Sequence, residues 1–89
     1  MKITKAAQAG ASESSDILIM VMPNEEGGIK LELDSKGVIL KQFGKQIEKV
    51  IREKIEEMGV QDIVVKAKDK GALDYTIRAR VQAAIERAI

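Results

Sequence analysis

Three serines stand close together in the stretch GASESSD, residues 10–16, directly before an apolar run. They are Ser12, Ser14 and Ser15. In a resident active site, a serine hydroxyl needs a neighbouring base that activates it. The chain contains 0 His and 0 Cys, so Ser–His–Asp and Cys–His catalysis are excluded. A serine that receives a covalent group from another enzyme needs only exposure and room, which its small neighbours favour.

Two other interpretations of the serines stay open at this point. The cluster also suits a solvated turn or sheet edge, in which Ser and Asp side chains bond to nearby backbone. A competing serine, Ser35, follows Asp34 just before a predicted helix. Serine is a preferred residue at the N-cap of a helix, so we predict that Ser35 caps this helix.

The overall composition excludes several classes of function. The 15 Lys and Arg residues almost balance the 14 Asp and Glu residues, which argues against the basic surface of a nucleic-acid-binding protein. Ordinary zinc sites need His or Cys ligands, which this chain lacks. The longest apolar run, Ile17 to Pro23, is too short to span a bilayer, and no leader pattern opens the sequence. We therefore expect a non-catalytic cytoplasmic protein that binds neither nucleic acid nor membrane.

Apolar and alternating runs predict the strands that position these residues. Residues 16–22 are apolar on both faces, which indicates a central, covered strand. Residues 29–33 alternate strictly, and the turn residues at 23–28 predict that the two strands form a hairpin. Residues 61–68 form a third strand. Weak alternation around residues 6–11 predicts an additional N-terminal edge strand.

Two apolar stripes predict helices. The stripe of the first helix, which is expected to start after Ser35 and stop at Gly59, comprises Ile39, Phe43, Ile47, Val50, Ile51, Ile55 and Met58. The stripe of the second helix comprises Leu73, Ile77, Val81, Ala84, Ile85 and Ala88. The order β-β-α-β-α predicts one α+β domain over residues 1–89, with both helices packed on one face of a small sheet.

The second predicted helix carries Arg78 and Arg80. Because the two positions differ by two residues, their side chains point to different sides of the helix. One interpretation is that both arginines form surface ion pairs with carboxylates. The other is that they contact phosphates or a partner subunit.

Four stretches of the sequence together resemble one known family. They are MKI at residues 1–3, AGASESSD at 9–16, KQFGKQI at 41–47 and DKGALDYTIRARVQAAIERA at 69–88. They cover nearly the whole chain in order, and the last is long enough to be specific. The sequence resembles the acyl carrier (gamma) subunit of citrate lyase.

The resemblance implies a covalent prosthetic group, phosphoribosyl dephospho-coenzyme A, attached to Ser14 through a phosphodiester. The terminal thiol of this arm would carry acetyl or citryl between an alpha subunit, which exchanges the acyl groups, and a beta subunit, which cleaves the citryl thioester. It also implies two enzymes that load the carrier, a prosthetic-group transferase and an acetylating ligase. Arg78 and Arg80 belong to the same pattern and become candidates for contact with the arm or a partner.

Two alternatives to this function stay open. The acyl carrier subunit of malonate decarboxylase uses the same kind of arm, and the residue-level reasoning does not separate the two, although the DKGALD and RAR motifs favour citrate lyase. The other alternative is a small α+β regulatory or assembly module with no covalent group.

Overall fold

The fold consists of four strands and two helices along one chain. The computed structural model describes residues 1–35 and 37–89, with side chains at all of these positions except 38–40. The elements are β1 (Ala7–Gly10), β2 (Ile17–Pro23), β3 (Ile29–Asp34), α1 (Gly37–Glu57), β4 (Ile63–Asp69) and α2 (Asp74–Ala88). The predicted α+β class is confirmed, and so is the N-terminal edge strand, which is β1.

The strands form one sheet in the order β1-β2-β4-β3. β2 is antiparallel to both β1 and β4, whereas β3 is parallel to β4. The predicted hairpin between the second and third strands is therefore wrong, because β4 lies between them. The sheet does contain a hairpin, which β1 and β2 form instead.

The turn after β2 explains why β3 does not fold back on its predecessor. Asn24 donates from its side-chain amide to the carbonyls of Gly27 and Gly28, both at 3.0 Å. Gly28 N–H then donates to Asp62 Oδ1 at 2.9 Å, and its carbonyl accepts from Ile63 N–H at 3.0 Å. These bonds tie the turn to the start of β4, so β3 begins on the far side of that strand.

The core lies on one face of the sheet. The side chains that alternate toward this face are almost fully buried, namely Ile17, Ile19 and Val21 from β2 and Ile63, Val65 and Ala67 from β4. Both helices cover this face, α2 over β1 and β2 and α1 toward β3, and they also contact each other. The predicted packing of both helices on one face is confirmed. The other face, with Leu18, Met20 and Met22, is only half-buried, so β2 is central but covered on one side.

The helix stripes are confirmed in part. Ile47, Val50, Ile51 and Ile55 of α1 are buried, as are Ile77, Val81, Ala84, Ile85 and Ala88 of α2. Phe43 and Leu73 were expected to be buried in the same stripes. This prediction is wrong, since their exposed fractions are 54% and 61%. The side chain of Ile39 lies outside the described residues. Gly59 has a φ of 73°, as expected where α1 stops. Neither helix, within the described ranges, is long and apolar enough to cross a membrane.

Candidate functional site

The serine cluster lies in the loop between β1 and β2, residues 11–16, which we call the serine loop. Ser12, Ser14 and Ser15 are all exposed. The predicted solvent access of the cluster is therefore confirmed. Exposure alone does not distinguish one of these hydroxyls from another, so the conformation of the loop has to be considered.

Backbone hydrogen bonds fix the serine loop at its C-terminal end. Asp16 N–H donates to the carbonyl of Glu13 at 3.0 Å, which closes a tight turn around Ser14. Ser15 N–H donates to the carbonyl of Lys70, and Lys70 N–H donates to the carbonyl of Asp16, both at 2.9 Å. Ser15 has a φ of 65°, a left-handed conformation that costs a non-glycine residue about 1 kcal/mol. Ser14 and Ser15 are thus the two central residues of this turn, both with exposed side chains, and the backbone of Ser15 is also bonded to Lys70.

Gly10 fixes the other end of the serine loop. Its φ is 86°, and a Cβ at this position would collide with the carbonyl oxygen of Ile17. The same Cβ would lie 3.1 Å from Arg80 Cδ. Only glycine allows the two strands and the arginine to approach this closely.

Asp16 and Arg80 brace the serine loop against α2. Arg80 donates from Nε to Asp16 Oδ1 at 3.1 Å and from Nη2 to Oδ2 at 3.3 Å, and Ile17 N–H donates to the same Oδ1 at 2.7 Å. The hydrogen bond from Arg80, the one from Ile17 and the charge of the guanidinium together hold the pKa of Asp16 below its usual value. Of the two interpretations of Arg80, the structure shows an ion pair with a carboxylate, and that carboxylate belongs to the serine loop.

Arg78 has a different environment. It is exposed on α2, and within the part of the chain that the structure describes it forms no ion pair. The prediction that the two arginines lie on different sides of the helix is confirmed. Contact of Arg78 with a phosphate or a partner stays a prediction.

Ser35, the competing serine, is not equivalent to Ser14. Its Oγ is buried and has no hydrogen-bond partner among the described residues. The predicted N-cap hydrogen bond of Ser35 is therefore not confirmed. α1 starts two residues later, at Gly37, and Lys36 lies outside the described residues. A buried hydroxyl is closed to a modifying enzyme, so the geometry favours the exposed cluster.

A second feature adjoins Lys70, whose neighbours Asp69 and Gly71 both line it. A groove of about 420 Å³ opens between α1 and the segment that leads into α2, and we call it the α1–α2 groove. Its lining includes Phe43, Ile47, Asp69, Ala72, Leu73 and Asp74. The sequence reasoning missed it because Phe43 and Leu73 were assigned to the core. One signal could have corrected Leu73, since it directly precedes Asp74, an acidic residue typical of the first turn of a helix.

A comparison with protein families identifies the class to which this arrangement belongs. A family model of acyl carrier proteins, described as the malonate decarboxylase delta subunit, matches residues 4–88. This match, in a small α+β domain with an exposed serine loop, places the chain among the acyl carrier proteins.

Individual relatives narrow the class. The chain is 51% identical over 88 residues to the citrate lyase acyl carrier protein of Halothermothrix orenii, which covers 99% of this chain and 90% of that protein. It is 50% identical over 88 residues to the protein of the same name from Vibrio cholerae, with 99% and 88% covered. A third, from Rhodopseudomonas palustris, is 46% identical over 89 residues. The chain belongs to the family of citrate lyase acyl carrier proteins, whose members are named as carriers.

Solved structures support the fold. A chain in the crystal structure of a Pseudomonas malonate decarboxylase hetero-tetramer in complex with malonate matches with a TM-score of 0.68 and 15% identity. The match covers 96% of this chain and 84% of that chain. At this identity the likeness shows a shared fold.

Proposed function

We propose that this protein is the acyl carrier subunit of citrate lyase and that Ser14 bears its prosthetic group. The group would be phosphoribosyl dephospho-coenzyme A, and it would carry acetyl and citryl thioesters in the cytoplasm between the alpha and beta subunits of the complex. The observation that carries the proposal is the exposed Ser14 side chain, held in a turn whose two ends are fixed. Identity of about half the chain to citrate lyase carriers supports the choice of system.

The residues present fit such a group. The attachment oxygen would be Ser14 Oγ, which forms the bond to phosphorus while its proton passes to the transferase and the leaving group of the activated precursor departs. The chain needs no activating base because the transferase provides it, which accounts for hydroxyls without histidine. The arm supplies a thiol, the one functional group for acyl transfer that a chain with 0 Cys lacks.

The rest of the chain holds the arm at a defined place. Asp16, Arg80 and the backbone pairing with Lys70 fix the base of the serine loop, while the arm beyond Ser14 swings. A tethered substrate reaches two active sites at a high effective concentration, without dissociating between steps. In this proposal the protein delivers the acyl group and performs no bond-making step of its own.

Intact mass tests the attachment. Wild-type apo-protein incubated with the transferase and its activated precursor should gain the mass of the arm, and peptide mapping should locate it on Ser14. Protein from its native host should carry the same added mass, whereas an assembly module without a covalent group would not. An arm mapped to Ser12, Ser15 or Ser35 would overturn the assignment.

Reconstitution separates the citrate and malonate systems. The loaded protein should restore turnover to citrate lyase alpha and beta subunits and should fail with the corresponding subunits of malonate decarboxylase. The malonate alternative rests on the family description and on a fold match at 15% identity. Activity with the malonate subunits alone would establish that alternative.

Charge reversal tests the arginines of the recognised pattern. Arg78→Glu should weaken assembly or acyl transfer with the fold intact, because Arg78 is exposed and forms no ion pair among the described residues. Unfolding curves should match those of the wild type. The matched control is Arg52→Glu, an exposed arginine on α1, which should leave transfer unchanged. If Arg78→Glu also leaves transfer unchanged, the contact proposed for Arg78 is wrong.

A further inference from the structure

The α1–α2 groove is not explained by packing of the core. Phe43 is the only Phe of the chain, yet it is 54% exposed, and Leu73 is 61% exposed. Both line the groove together with the buried Ile47. The volume of about 420 Å³ lies in the range of sites that hold small molecules.

The residue at the N-cap of α2 does not stabilise the helix. Leu73 occupies the N-cap, with φ −76° and ψ 159°, and no side chain caps the helix there. Ser, Thr, Asp or Asn would fit the same backbone and satisfy one of the free N–H groups of the first turn. A leucine here leaves the helix without a side-chain cap and exposes apolar surface, so neither capping nor burial in the core accounts for it.

The groove is preformed. Gln46 Nε2 donates to Asp74 Oδ2 at 3.1 Å, which links α1 to the first turn of α2. Ala72 N–H donates to Asp69 Oδ1 at 3.1 Å, which fixes the loop that forms one wall. An occupant would find the walls already in place, so little ordering would oppose its binding.

The groove lies close to the serine loop along the backbone. Ser15 N–H and the carbonyl of Asp16 both bond to the backbone of Lys70. Gly71, which lines the groove, is the next residue along the chain, about 3.8 Å further in Cα position. The groove is therefore close to the serine loop, and the long arm proposed for Ser14 can fold back to bring its distal end to it.

The charge of the lining selects which part of the arm fits. The groove is lined by two carboxylates, Asp69 and Asp74, and no Lys or Arg side chain contributes to it among the described residues. Phosphate groups would be repelled, whereas an uncharged chain with amide and methylene groups would be accepted.

We propose that the α1–α2 groove shelters the neutral distal end of the arm, the pantetheine chain with its thiol or acetyl thioester, between encounters with the catalytic subunits. This inference rests on the function proposed above and adds a resting place for the arm on the carrier. The citryl thioester has free carboxylates, so Asp69 and Asp74 disfavour it in the groove. The acetyl thioester is therefore bound in the groove, whereas the citryl thioester stays in solvent, where the lyase subunit can reach it.

The absence of cysteine makes the test direct. In the isolated holo-protein the only thiol is that of the arm, so alkylation by iodoacetamide, followed by intact mass, reports its accessibility alone. Iodoacetamide is uncharged, and the groove variants Leu73→Ser and Phe43→Ser change no charge. Each variant should be alkylated about fivefold faster than the wild type, since the apolar burial that holds the arm is reduced.

The control is Ile89→Ser, which removes an exposed apolar side chain at the other end of α2. It lies about 22 Å along the helix from Asp74, at 1.5 Å per residue, so its alkylation rate should equal that of the wild type. The acetyl thioester should likewise be cleaved about fivefold faster by hydroxylamine in Leu73→Ser, whereas the citryl thioester should react equally in both proteins.

The outcomes separate the two proposals. Protein that still has no reactive thiol after treatment with the transferase and its activated precursor, or after isolation from its native host, would overturn the proposed function. Loaded protein in which Leu73→Ser and Phe43→Ser react at the wild-type rate would overturn the groove proposal alone. Unchanged alkylation combined with weaker assembly of the complex would also overturn it and would identify the groove as a surface for a catalytic subunit. Both residues are exposed, so folding of the variants is expected and is verified by their melting curves.

Discussion

The serine loop and the α1–α2 groove both adjoin Lys70, and they are built in opposite ways. The serine loop is held by an ion pair, by a glycine that no other residue can replace without a collision, and by backbone bonds to Lys70, and it exposes small polar side chains. The groove exposes Leu73 and Phe43, and Leu73 occupies a cap position that a polar residue would fill better. One region is therefore a braced polar loop, whereas the other is an apolar surface that begins at an uncapped helix end.

The largest expected effect is the loss of arm attachment when Ser14 in the serine loop is replaced. Ser14→Ala should abolish attachment of the arm while the protein folds normally, because its side chain is exposed and its removal costs no packing. Intact mass after incubation with the transferase measures it. Ser12→Ala is the matched control, since Ser12 is an equally exposed serine two residues away, and it should be modified fully. Modification of Ser14→Ala at another serine would remove the distinction between these residues.

The second effect concerns the glycine that fixes the serine loop. Gly10→Ala should lower the free energy of unfolding by about 2–4 kcal/mol, because the new Cβ meets the carbonyl oxygen of Ile17 at a positive φ. Urea unfolding measures the change. Gly71→Ala is the control: it also has a positive φ, but a Cβ there would meet no described atom within 4 Å, so it should cost about 1 kcal/mol. Equal losses would show that the collision at Gly10 is relieved by small shifts.

A substitution in the α1–α2 groove should raise the free energy of unfolding, whereas Gly10→Ala lowers it. Leu73→Ser places a preferred residue at an uncapped N-terminus and should raise the free energy of unfolding by about 1 kcal/mol, or the midpoint of thermal unfolding by about 4–8 °C. Leu73→Ala is the control, because it removes the same apolar surface without adding a cap. A loss of stability in Leu73→Ser would mean that the leucine contributes packing energy and is not a concession to function.

The smallest effect is the dependence of stability on pH through Asp16. Its pKa is lowered in the folded state from an ordinary value of 3.8, so the unfolded chain binds the proton more readily. The contribution is therefore present above the unfolded pKa and is lost as the pH falls through the folded pKa. For a partly exposed pair it is expected to be about 1 kcal/mol or less.

Asp16→Asn measures that contribution. The variant should be less stable than the wild type at neutral pH, and the difference should narrow in urea unfolding curves below the folded pKa. Glu25→Gln, at an exposed carboxylate in the turn after β2, serves as the control for removal of a charge. A difference that stays constant with pH would show that the hydrogen bonds, and not the charge of Asp16, stabilise the serine loop.

The sequence alone was sufficient for much of the fold. Apolar or alternating runs identified every strand, and spacings of three and four identified both helices, because these patterns depend only on local backbone geometry. It also supplied the serine cluster and the resemblance to a family, which the comparisons confirm. The wrong predictions, the hairpin of the second and third strands and the burial of Phe43 and Leu73, have the same cause. A periodic pattern shows which side chains share a face of an element, but it does not show which other element packs against that face.

Tertiary structure decided the remaining features. It placed β4 between β2 and β3, where the hydrogen bonds of Gly28 with Asp62 and Ile63 hold the start of β3 against β4. The sequences of β2 and β3 do not show this arrangement. It brought Arg80 to Asp16, 64 residues earlier in the chain, so a surface arginine became part of the serine loop. It also left Phe43 and Leu73 exposed in the N-terminal parts of apolar stripes, because a stripe is buried only as far as another element extends to cover it.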